Sequence, residues 1–161
     1  MDSIQFQPLN TIAPQKLLPI LNKTSTRKHL IKHDVFDESL VRQWINAKMA
    51  EDAKAGCLVR AILKDETLIG WCGIQQSELG HEIAIVLDDS CWGVGKTVFK
   101  QLMIWCHDFQ HHTVYIHLLH TRPSYRFLEM LAQRTFETNM MGDKFTTYEL
   151  NVEKVVRRAL E

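Results

Sequence analysis

The stretch Glu82-Ile83-Ala84-Ile85-Val86-Leu87-Asp88-Asp89-Ser90-Cys91-Trp92-Gly93-Val94-Gly95-Lys96-Thr97-Val98 decides how the rest of the chain is read. Glu82 to Leu87 is almost wholly apolar, the pattern of a central strand buried on both faces. Asp88 to Gly95 is a loop holding two glycines. Lys96 to Phe109 then reads as an amphipathic helix, with Val98, Phe99, Leu102, Met103, Trp105 and Cys106 on its apolar side. Strand, glycine loop and helix in that order build an anion site. The first turn of a helix leaves N–H groups unpaired at the positive end of its dipole. Gly93 and Gly95 let the backbone approach the anion closely and take positive φ where needed. The amides of residues 93 to 97 would point at the ligand, joined by the Lys96 ammonium and the Thr97 hydroxyl. An ordinary strand-to-helix turn can carry the same two glycines, so the surrounding elements have to decide.

Upstream, Ile4 to Gln7 alternates as a short strand, and Thr11 is placed to cap a helix over Pro14 to Leu21. A second helix begins at Asp37: Leu40, Val41, Trp44, Ile45 and Met49 recur at three and four residues, and Gly56 stops it. From Cys57 the period changes. Leu58 to Leu63 and Thr67 to Ile74 form a hairpin around Lys64-Asp65-Glu66. Gly70 and Gly73 inside its second strand predict a bulge or the close approach of another backbone. Ser77 to Gly80 is a turn. Downstream, Thr113 to Leu119 is another apolar strand, and Pro123 starts a helix reaching about Gln133. Phe136 and Phe145 to Leu150 mark two closing strands, and Val152 to Leu160 a terminal helix. This order predicts an α/β (α+β) fold with a central mixed sheet of about six to seven strands flanked by helices. A single domain over residues 1–161 is expected from the length.

Nineteen basic residues balance nineteen acidic ones. A chain that binds nucleic acid in bulk normally carries a basic excess, because phosphate contacts dominate its affinity. No apolar run reaches the ~20 residues of a membrane span, and the N-terminus lacks the pattern of a signal peptide, so a cytoplasmic protein without a membrane anchor is expected. Cys57, Cys72, Cys91 and Cys106 are scattered without a Cys-x-x-Cys pair and read as buried reduced thiols. His107 and His111 stand four apart and would share a helix face, beside His112. A zinc site wants three or four converging ligands, and nothing specifies a third, so no metal is expected and these read as solvated or helix-terminal histidines.

Two phosphate-binding families compete for the loop. Gly95-Lys96-Thr97 resembles the end of a Walker A motif, but Ser90 stands where its first glycine belongs. The strand Thr113 to Leu119 also leads into His120-Thr121 rather than an aspartate that could hold magnesium. The better resemblance is to the acetyl-coenzyme A motif of GNAT acyltransferases, Gln/Arg-x-x-Gly-x-Gly/Ala after a strand and leading a helix. Gly93 and Gly95 match its glycines, Ser90 replaces Gln/Arg, and Trp92 supplies an aromatic common in one branch. Further on, Arg122-Pro-Ser-Tyr-Arg-Phe-Leu-Glu-Met-Leu-Ala-Gln-Arg-Thr-Phe136 is similar to the family's Asn-x-x-Ala-x-x-x-Tyr-x-x-x-Gly-Phe. Ser124 falls at the Asn position, Leu131 at the Tyr position and Thr135 at the Gly position.

The resemblance implies an N-acetyltransferase that moves an acetyl group from acetyl-CoA to a primary amine, small molecule or protein, by direct attack in a ternary complex. It implies cofactor contacts at Ile85, Val86 and Leu87 for the pantetheine arm, and at Trp92, Gly93, Val94, Gly95, Lys96, Thr97 and Ser124. The arm would pair like an extra strand where Glu82–Leu87 parts from Thr113–Leu119, and backbone N–H groups there can stabilise the thioester oxyanion. Glu82 is the candidate general base, with a pKa raised by burial. Leu131 replaces the usual acidic tyrosine, and Tyr125, in the same helix, is the substitute candidate. Acceptor choice would come from Thr24 to Asp37 and Gln75 to Gly80, with Trp44 either core or groove lining. A non-catalytic acyl-CoA-binding module, P-loop nucleotide binding and homodimer formation stay open as alternatives.

Overall fold

The computed structural model describes residues 3–22, 36–88, 93–119, 126–140 and 142–159. Trp92, Ser124 and Tyr125 therefore lie outside the described residues, as do Ser90, Cys91, His120 and most of the expected acceptor segment Thr24 to Asp37. The strands are β1 (Ile4–Gln7), β2 (Leu58–Lys64), β3 (Thr67–Ser77), β4 (Gly80–Leu87), β5 (Thr113–Leu119), β6 (Arg134–Met140) and β7 (Asp143–Asn151). The helices are α1 (Pro14–Asn22), α2 (Glu38–Asp52), α3 (Val94–Asp108), α4 (Arg126–Leu131) and α5 (Val152–Ala159). One seven-stranded sheet has the order β1-β2-β3-β4-β5-β7-β6. All its neighbours are antiparallel except β4 and β5, which run parallel.

The alternation of side chains along each strand divides the core. On one face α3 and α5 pack against Ile83, Val114, Ile116, Tyr148 and Leu150. On the other, α1 and α2 pack through Leu17, Leu21, Val41 and Ile45 on Val59, Ala61, Leu63, Trp71 and Val86. Asp37 caps α2 by accepting from the Leu40 amide at 2.8 Å, and Asn22 brackets Phe36 with two hydrogen bonds of 2.7 Å. At its other end α2 is tied to the sheet by carboxylates. Asp52 accepts from the Val59 amide at 2.8 Å, and Glu51 accepts from the Gln76 amide at 2.7 Å.

The two glycines of β3 do what the sequence predicts. A Cβ on Gly70 would lie 2.0 Å from the Val86 carbonyl oxygen, and one on Gly73 would lie 2.8 Å from that of Leu58. The register shift falls beside them, between Ile62 and Leu63. Other expectations need correction. β4 is buried only at Ile83 and Val86, with the rest half-buried or exposed, because its β5 side is largely unpaired. α4 is one short helix ending at Leu131, and β6 already begins at Arg134. Gln75 to Ser77 belong to β3, so the turn before β4 is Glu78–Leu79 alone. α3 ends at Asp108 and Gln110 takes φ 66°, so His107 and His111 share no helix face.

Because no side chain fits between Gly70 and β4, Gly70→Ala is expected to lower unfolding free energy by about 3 kcal/mol or more. Denaturant titration checks this; a loss below about 1 kcal/mol would show that β4 can move aside there.

Candidate active site

β4 and β5 touch as a ladder at one position among the described residues, Glu82 opposite Tyr115. Beyond it the two parallel strands diverge. β4 stays on β3 along its whole length, closed by the Asp88 amide donating to the Ile69 carbonyl at 2.8 Å. β5 stays equally on β7 from Thr113 to Leu119. The result is a wedge in the middle of the sheet, with Ile85, Val86 and Leu87 along one side and backbone groups facing the gap outside the β4–β5 ladder. Strand addition satisfies such groups well.

The N-terminus of α3 stands at the mouth of this wedge. Gly93 occupies its cap position with φ 86°, a left-handed conformation that favours glycine, and contributes no side-chain cap. The first turn holds no acidic residue. Among the described residues nothing lies within 4 Å of where a Gly93 Cβ would be, and a Gly95 Cβ would meet Leu87 Cδ1 at 3.8 Å. The first amides of α3 have no intrahelical partner, and the capping glycine offers them no side chain. Val94 turns its side chain into the core, so its contribution is backbone only. Thr97 is exposed, and the Lys96 ammonium lies 5.5 Å over the Phe127 ring.

At the apex of the wedge Glu82 points to the α2 face, where three groups surround it. Gln75, buried on β3, donates through Nε2 to Glu82 Oε1 at 3.4 Å. Lys48 of α2 donates to Gln75 Oε1 at 2.5 Å, with its ammonium 4.7 Å over the Trp71 ring and 5.8 Å from that of Trp44. His117 of β5 brings Nε2 to 3.4 Å from Glu82 Oε2. The contact is one of proximity, and Nε2 is buried without a hydrogen bond. Burial pushes the Glu82 carboxyl up to about 7; Lys48 pulls it down and Glu51 pushes it up further. Burial also lowers the Lys48 ammonium, against the attraction of Glu82 and Glu51, and lowers the His117 imidazole. Glu82 is thus a carboxyl poised to exchange a proton near neutrality.

Gln75, read in sequence as a loop residue, is a buried hydrogen-bond partner of Glu82. His117 is nearly wholly enclosed, its side chain 4% exposed. Lys48 gave no sequence signal, since it lies on the polar side of a helical repeat. The period-two pattern of β5 does place His117 and Tyr115 on one face, and they stack at 6.2 Å. Trp44 is half-buried and edge-on to Trp71 at 5.3 Å. His111 sits with Nε2 2.8 Å from the Gly56 carbonyl and its ring 4.1 Å from that of His81. Among the described residues no three His, Cys, Asp or Glu side chains converge as metal ligands.

The fold is that of GNAT acetyltransferases. An N-acetyltransferase from Staphylococcus aureus Mu50 superposes over 94% of this chain and 99% of its own, with TM-score 0.69 at 12% identity. A structure described as a probable GNAT-family acetyltransferase from Chromobacterium violaceum ATCC 12472 superposes over 94% and 89%, with TM-score 0.72 at 12% identity. No protein-family model and no curated protein sequence matches the chain.

Glu82 titrates near 7 in the fold, against 4.5 for an unperturbed side chain. Between those values the folded state holds a proton that the unfolded state releases, so stability falls as pH rises from 4.5 to 7. Glu82→Gln, which mimics the protonated form, should therefore be more stable than wild type at pH 8, on the order of 3 kcal/mol at most, and equal to it near pH 4.5. Equal stability at both pH values would place the Glu82 pKa in the ordinary range.

Proposed function

We propose that this chain is an N-acetyltransferase that moves an acetyl group from acetyl-CoA to a primary amine, on a small molecule or a protein, by direct attack within a ternary complex. The observation that carries this reading is the wedge: an open strand edge that leads from the glycine-capped N-terminus of α3 to a carboxyl pushed up to about 7. The GNAT-like fold supports it. The P-loop alternative loses its basis, since the glycine loop leaves a sheet whose strands are mostly antiparallel.

The residues fit acetyl-CoA in two places. Amides 93 to 97 would hold the pyrophosphate, with Trp92, Val94, Lys96, Thr97 and Ser124 assigned beside it; the β4 edge at Ile85, Val86 and Leu87 would take the pantetheine amides. When bound, acetyl-CoA supplies the thioester. Glu82, as carboxylate, removes a proton from the acceptor ammonium, so that the neutral amine carries the lone pair that attacks. Backbone N–H groups of the open β4 edge supply fixed dipoles for the developing oxyanion. Tyr125 is assigned as donor to the departing thiolate. The three described cysteines are buried and unpaired, which supports a reducing, cytoplasmic setting.

Thermal unfolding with acetyl-CoA at 100 times its dissociation constant should show a stabilisation of about 2.7 kcal/mol. Gly95→Asp separates site from scaffold. A carboxylate in the first turn favours the helix dipole but repels pyrophosphate, so the variant should unfold no earlier than wild type and lose the ligand shift. Glu82→Gln should keep the shift while its kcat/KM over a panel of amines falls by about 10²–10⁴. Absence of any shift in wild type would overturn the cofactor assignment, and a shift without thiol release from any amine would favour a binding module.

A further inference from the structure

Behind Glu82 runs a line of hydrogen bonds that the proposed reaction has not yet used. His117 Nδ1 lies 2.8 Å from Thr147 Oγ1, and Thr147 Oγ1 lies 2.7 Å from Thr138 Oγ1. Thr147 is fully buried on β7, directly opposite His117, whereas Thr138 is half-buried on the edge strand β6. A buried imidazole with one nitrogen satisfied and the other empty carries a desolvation cost. The empty nitrogen, Nε2, is the one beside Glu82 Oε2. Two polarities of the chain are chemically complete. With Nδ1 protonated, the Nε2 lone pair would face the Glu82 carboxylate at 3.4 Å and repel it. With Thr138 donating to Thr147, and Thr147 to Nδ1, the proton sits on Nε2 and faces the carboxylate attractively.

Resting on the transferase reading, we propose that His117 is the positioning residue of Glu82: held as its Nε2–H tautomer by Thr147 and Thr138, it turns onto Glu82 Oε2 and stabilises the carboxylate that accepts the ammonium proton. No bond of substrate or cofactor passes through His117. One proton moves, from the acceptor nitrogen to a Glu82 oxygen, and the imidazole stays neutral throughout. The other groups against this pair are Gln75 of β3, which donates to Glu82 Oε1, Lys48 and Glu51 from α2, whose charges act on Glu82, and Tyr115 of β5, stacked on His117; Glu149 of β7 engages Tyr115 and Arg134 of β6 instead. Lys48 favours the carboxylate and Glu51 opposes it. Tyr115 is turned away, donating to Glu149 at 3.3 Å, which leaves His117 as the neutral N–H donor within reach of Oε2 among the described residues.

The pair His117→Gln and His117→Asn distinguishes the two ends of the imidazole. Glutamine keeps an N–H donor near the Nε2 position, whereas asparagine keeps only the Nδ1 side toward Thr147. In the ¹³C titration of the Glu82 carboxyl by NMR, and in the acidic limb of kcat/KM, His117→Asn and Thr147→Val should shift to higher pH by about one unit. His117→Gln should stay within a few tenths of wild type, and ¹⁵N spectra of the wild type should show neutral His117 protonated on Nε2. Finding the Nδ1–H tautomer, or no shift in either His117→Asn or Thr147→Val, overturns the proposal. The NMR titration reads Glu82 without turnover. A protein that ignores acetyl-CoA but shows the carboxyl shifts would keep the His117–Glu82 coupling and sink the transferase reading.

Discussion

A parallel strand pair that bonds at one position and then opens leaves two rows of backbone groups outside its ladder, and the rest of this structure is arranged around that opening. Burying such groups unpaired is costly, so an open wedge persists only if both sides are fixed from elsewhere. β4 is fixed by an uninterrupted antiparallel ladder with β3, drawn so close at Gly70 that no Cβ fits between Gly70 and the Val86 carbonyl. β5 is fixed by its seven-residue ladder with β7. The long helix α3 leaves from the widening end, which brings its first amides, without intrahelical partners, to the same opening.

The apex of the wedge concentrates charge where water is scarce. Glu82 is pushed up by burial and only partly relieved by Lys48, which is itself lowered by burial while resting against Trp71 and Trp44. Replacing such a carboxyl by a neutral isostere relieves the fold while removing a group suited to proton transfer. This opposition between stability and reactivity is expected of a functional site rather than of a surface chosen for packing. The carboxylates that anchor α2, Asp52 on the Val59 amide and Glu51 on the Gln76 amide, also set the position of Lys48 one turn earlier. A structural tether and the electrostatics of the site are therefore coupled.

Sequence periodicity carried most of the architecture because burial acts on each element separately. The helical repeat from Leu40 to Met49, the apolar side of α3 and the alternation of β5 all reflect one face meeting a core. Gly70 and Gly73 announced a backbone contact before its partner could be known. The same logic failed on β4, whose apolar run suggested full burial. Its side chains are only partly covered because its neighbour diverges, and divergence leaves no mark in a single strand's composition.

The sequence by itself determined the order of elements, the glycine loop that starts α3 and Glu82 as a carboxyl at the head of an apolar strand, since each depends on a local pattern. Only the tertiary structure decided that Lys48, Gln75 and His117 gather around Glu82, from α2, β3 and β5. It likewise decided that Thr147 and Thr138 stand behind His117. Those contacts arise from strand order and helix placement between segments far apart in the chain, and spacing along the sequence carries no record of them. The pKa of Glu82 follows the same rule: the residue type is local, but the desolvation that moves it belongs to the packed sheet.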